Sequence, residues 1–134
     1  MNLFLSETAV LQTTSEFVTS DGARSHAKGK SIVTFSETEI INESWAQVGK
    51  VKRINNYKIT PISPCELIFE SLNPVLGKQT GVFNIDRNTV FSKFKVEKSS
   101  LNGFEIIRKE ENTYYAQGAL YDNDSLINSW TAIM

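Results

Sequence analysis

The chain has 134 residues, of which 40% are hydrophobic and 22% charged, with a formal net charge of −1. That balance excludes a disordered chain, and the length gives one domain large enough to bury its own core. A net charge so near zero leaves no strong field to gather nucleic acid or anionic lipid.

Cys65 is the only cysteine, so neither an internal disulfide nor a multi-cysteine metal site is available. Met1–Leu11 has no basic start and no long apolar run, and so does not read as a signal peptide. No stretch approaches the roughly 20 apolar residues of a membrane-spanning helix. The expected compartment is the cytoplasm. No cofactor is expected.

Taken in chain order, Leu3–Gln12 mixes apolar and polar positions and is expected to open a sheet. Thr13–Lys30 is rich in serine and threonine, holds Asp21-Gly22, and reads as a loop with a helical turn near Ser15–Thr19. Short apolar-polar runs then follow at Ser31–Phe35, Glu39–Val48, Val51–Thr60 and Cys65–Ser71. Polar clusters separate them: Ser36-Glu37-Thr38, Gly49, Pro61 with Pro64, and Asn73-Pro74 with Gly77.

The second half is more regular. Thr80–Asp86 and Thr89–Glu97 flank Arg87-Asn88, a two-residue hairpin loop by spacing. That register puts Phe83, Ile85, Val90 and Phe94 on one face. Asn102-Gly103 reads as a turn. Phe104–Lys109, Thr113–Tyr121 and Ser125–Met134 complete nine or ten strands.

Short connections favour sequential antiparallel neighbours, and closing such a sheet removes its edges. The predicted fold is all-β: an up-and-down meander closed into a barrel over residues 1–134, with a two-sheet sandwich second. In length, strand count and meander the chain resembles the calycin group, which includes lipocalins and fatty-acid-binding proteins. It carries no Gly-x-Trp near its start, no helix-turn-helix lid and no closing Arg-x-Tyr, so the resemblance extends to the fold alone.

With two-residue loops at Glu111-Asn112 and Asn123-Asp124, Phe104, Ile106 and Arg108 share a face with Tyr115, Gln117, Ala119 and Tyr121. Leu126, Asn128 and Trp130 are read as continuing that face. A mostly apolar wall with a few polar groups is how ligand pockets are lined. Phe104, Ile106, Arg108, Tyr115, Gln117, Asn128 and Trp130 are therefore the candidate ligand-binding residues. An inward Arg108 implies an acidic group on the ligand, because an unpaired buried charge is prohibitive. A one-residue change in either loop reverses the assignment.

The remaining candidates carry plain expectations. Trp45, Phe69, Phe83 and Phe94 read as core, and Phe91 as a semi-exposed contact. His26 reads as a loop histidine without partners for a metal site, and Cys65 as a buried or half-buried structural thiol. The carboxylates sit at turns or on polar faces, with no calcium-loop pattern.

The function expected from sequence is a non-enzymatic barrel that binds a small, mainly apolar molecule. One alternative is an interaction or homo-oligomer module built on paired apolar strand faces. A second is a barrel enzyme of isomerase or lyase type, which requires Arg108, Tyr115 and Asn128 to converge on one enclosed point.

Overall fold

The computed structural model describes residues 9–36, 38–73 and 76–134. Ten antiparallel strands run in sequence: β1 Ala9–Thr19, β2 Arg24–Phe35, β3 Ile40–Val48, β4 Val51–Ser63, β5 Glu66–Asn73, β6 Gly77–Asp86, β7 Thr89–Val96, β8 Leu101–Glu110, β9 Thr113–Asp122 and β10 Ser125–Ile133. Each pairs with its sequence neighbours, and β10 pairs with β1 to close the barrel. Parts of three expectations lie outside the described residues: the start of Leu3–Gln12, Glu37 in its turn, and Pro74 in its loop.

The hairpin loops follow the spacing. Asp86 opposes Thr89, Glu110 opposes Thr113 and Asp122 opposes Ser125. The first loop residue takes a left-handed conformation each time: Arg87 at φ 57°, Glu111 at 54° and Asn123 at 52°. Such φ values let two residues reverse a strand whose twist is right-handed.

Two expectations about where the chain turns are corrected. Thr13–Lys30 is not a loop with a helical turn; it belongs to the β1–β2 hairpin. The inner face of these strands is Leu11, Thr13, Ser15 and Phe17 opposite Ser31, Gly29, Ala27 and Ser25. Those residues are mostly small or polar, so the usual apolar alternation is absent, although threonine fits a strand well. The reversal is at Gly22, with φ 89°. There the Asp21 carboxylate accepts hydrogen bonds from the Thr19 hydroxyl and the Ala23 amide, which hold its pKa below the ordinary value.

Asn102-Gly103 is likewise not a turn. The chain reverses four residues earlier, around Lys98 at φ 58°, and Gly103 lies inside β8. A Cβ on Gly103 would stand 2.5 Å from Phe94 Cζ, so glycine is what lets the Phe94 ring lie against the sheet.

The core gathers Val33, Ile40, Ile59, Leu67, Phe69, Phe83, Ile85 and Val90, with Tyr57, Phe94, Ile107 and Tyr114 packed on it. Phe69 and Phe83 stack with centroids 4.5 Å apart, and Tyr57 tilts against Phe69 at 5.7 Å. Burying each such side chain contributes roughly 1.5–3 kcal/mol. Phe83, Ile85, Val90 and Phe94 do share one inward face, as the hairpin register predicts.

Trp45 is not core. It is outside the barrel on the face of Ile54, with the Lys52 ammonium 4.5 Å from its ring centroid. Cys65 is exposed in the β4–β5 turn rather than buried. His26 lies on strand β2, exposed, with Nε2 3.0 Å from the Glu16 carboxylate.

Candidate functional site

Register decides which residues look into the barrel. Ile107 opposes the buried Val90, so alternation puts Gly103, Glu105 and Ile107 of β8 on the inner face. Glu105 opposes Ser92 on one side and Gly118 on the other. Gly118 opposes Trp130, and Trp130 opposes Phe17 of β1. On the far wall, Asn42 opposes Tyr57, which opposes Ser71, and Ser44 opposes Asn55. A polar layer therefore lies beside the apolar core.

The layer is organised around Glu105. The Trp130 indole Nε1–H donates to Glu105 Oε2 at 2.7 Å. Gly118 makes this reach possible, because a Cβ there would stand 2.5 Å from Trp130 Cζ2. The indole lies over the glycine and meets the next strand. Burial pushes the Glu105 carboxyl above its ordinary pKa, and the Trp130 hydrogen bond pulls less strongly the other way. Tyr57 feels Glu105 across the interior. Its own pKa is raised by burial first and by the Glu105 charge second, against a smaller lowering by Asn55. Asn55 Nδ2 donates to the Tyr57 hydroxyl at 3.0 Å.

Three oxygens in these walls, Asn42 Oδ1, Asn55 Oδ1 and Ser71 Oγ, have no hydrogen-bond partner among the described residues. A buried polar atom left unpaired costs about 1–3 kcal/mol. Meanwhile Asn42, Ser44, Asn55, Tyr57, Glu105 and Trp130 all face inward without being fully buried, unlike the members of the apolar core.

The sequence-derived candidates divide between the two faces. Phe104, Ile106, Arg108, Tyr115 and Gln117 share one face, as the loop spacing predicts, but it is the outer face. Asn128 and Trp130 point inward. The reason is a bulge. Leu126 opposes Tyr121, and the next pair is Asn128 with Leu120, so Ile127 is an extra residue that reverses the alternation. The seven candidates therefore do not form one wall.

Outside, the Arg108 guanidinium is 3.0 Å from Glu110 and 5.4 Å from the centre of the Tyr115 ring. Arg108 and Tyr115 do not converge with Asn128. Phe91, 46% exposed, opposes Ile106, 39% exposed, and both border a shallow hollow of about 220 Å³ with Asn84 and Phe104. A larger open groove of about 660 Å³ runs over the outside of β4–β7, with Ile68 and Val82 in its floor and Lys58, Lys93, Lys95 and Glu70 around it. Among the described residues no cluster of three histidine, cysteine or acidic side chains could hold a metal ion.

Sequence reading missed Glu105, Tyr57, Asn55, Asn42 and Ser71. A signal for Glu105 was present: it is the one charged residue inside Phe104–Ile107, on the face that the Phe94–Gly103 pair ties to the predicted core. Believing the Asn102-Gly103 turn hid it.

The chain matches no family model, no curated protein and no solved structure. The likeness to calycins therefore rests on the closed antiparallel barrel of ten strands. No helix is long and apolar enough to cross a membrane among the described residues.

Proposed function

We propose that this chain is a binding protein whose barrel interior takes a small, mainly apolar molecule with one polar end. The observation that carries the reading is the polar layer of Glu105, Trp130, Tyr57 and Asn55 beside the aromatic core. A barrel of eight to ten strands is of the size that either fills with side chains or holds one small ligand. Inward side chains that are incompletely buried favour the second case. The acidic ligand group expected from an inward Arg108 loses its support, since that guanidinium pairs with Glu110 outside.

The test is uptake of Nile red by the purified protein, followed by displacement with octanol and by native mass spectrometry. Dye fluorescence that rises with one saturable site and falls on adding octanol supports the reading. A folded protein that takes up neither molecule removes it.

A second reading, self-association, is favoured by one observation: Phe91, Phe104, Ile106 and Tyr115 are all exposed on neighbouring strands. Light scattering after size exclusion decides it, and a monomer at high concentration counts against it.

A further inference from the structure

Two of the three unmet groups of the interior share one chemical character. Asn42 Oδ1 and Asn55 Oδ1 are amide oxygens, which only accept hydrogen bonds. Ser71 Oγ, a hydroxyl that both donates and accepts, is the third, on a residue 3% exposed and on the same inner row as Asn42 and Tyr57. Glu105 adds a carboxyl group that receives one indole N–H and makes no ion pair among the described residues.

The inward cations among the described residues make no ion pair with it. Lys109 lies four residues along the same face, about 13 Å by strand rise, with its ammonium 5.3 Å from the centre of the Tyr114 ring. Arg53 is exposed near the start of β4. The site is thus an acid and two amide acceptors without an ion-paired cation among the described residues.

Given the binding role proposed above, on which this assignment rests, we propose that the polar end of the ligand is a protonated amine seated against Glu105, with its apolar body directed toward the Phe69–Phe83 stack. An ammonium group brings three donors and the compensating charge together. An anionic headgroup would face Glu105 and the same unpaired acceptors with nothing to offer them. A hydroxyl brings one donor and no charge.

The experiment uses octylamine, octanol and octanoic acid, each competing with Nile red for the full chain at neutral pH. Octylamine is expected to displace the dye about tenfold more tightly than octanol, the gain of one charge-assisted contact. Octanoic acid is expected to be weakest. Glu105→Gln should remove the advantage of the amine and leave octanol unchanged, while Glu70→Gln on the outer surface should leave the ranking intact. The wild-type ranking stands as a test by itself if Glu105→Gln fails to fold. If octanol or octanoic acid equals octylamine while the dye is still displaced, the amine assignment is overturned and the binding reading survives. So too if Glu105→Gln keeps the preference. If the folded protein takes up neither dye nor any octyl compound, both are overturned.

Discussion

Trp130 and Glu105 are 25 residues apart in sequence and on strands that do not touch, yet the indole N–H meets the carboxylate at 2.7 Å. Between them runs β9, reduced at that level to Gly118. The contact joins an aromatic ring, a buried acid and a missing side chain into one unit. Changes to any of the three are therefore coupled.

Trp130→Phe keeps a ring beside Phe17 but removes the donor to Glu105. The loss is expected to be about 1–3 kcal/mol, the cost of a buried polar group stripped of its partner. Urea denaturation of the variant and the parent measures it. An unchanged midpoint would mean that water replaces the indole without cost.

Gly118→Ala pushes a methyl group to within 2.5 Å of Trp130 Cζ2. The indole has to move, and the Glu105 contact with it. Overpacking of this kind costs about 1–3 kcal/mol. Trp130 emission should shift as the ring leaves its carboxyl partner, with Trp45→Phe as the background so that one indole reports.

Stability should depend on pH through Glu105. Its folded-state pKa is raised, by burial first, so the folded protein holds a proton that the unfolded chain releases at the ordinary glutamate value of about 4.3. The contribution is complete below that value and is lost as pH rises through the raised one. Glu105→Gln should therefore gain on the parent as pH increases across that window. Denaturation midpoints at several pH values check the sign, and parallel curves would contradict it.

Outer-face substitutions should leave ligand uptake alone. Arg108→Ala and Gln117→Ala remove exposed side chains, and the Arg108–Glu110 pair is half exposed on both sides. Exposed pairs contribute about 0–1 kcal/mol. Dye displacement in the double variant should match the parent, whereas Trp130→Phe should alter it.

The architecture was largely legible in the sequence because turn chemistry and apolar alternation agree from Glu39 onward, Asn102-Gly103 excepted. Arg87-Asn88, Glu111-Asn112 and Asn123-Asp124 reverse the chain where spacing puts them. The site was less legible for three physical reasons. Both faces of β8 carry apolar residues, so Phe104 and Ile106 outside look as core-like as Ile107 inside. The extra residue Ile127 changes the face of Asn128 and Trp130 without leaving a Gly or Pro to announce it. The inner face of β1 and β2 is small and polar, which erased the period that would have revealed two strands.

The seam between β1 and β10 joins Thr14 to Ile133, nearly the whole length of the chain. During synthesis, β1 and β9 must each wait with an unpaired edge until the last strand emerges from the ribosome. Closure is then a late, long-range event, slow for a chain of this size. Nascent chains stalled before Ser125 would carry two sticky borders and depend on chaperones to stay apart.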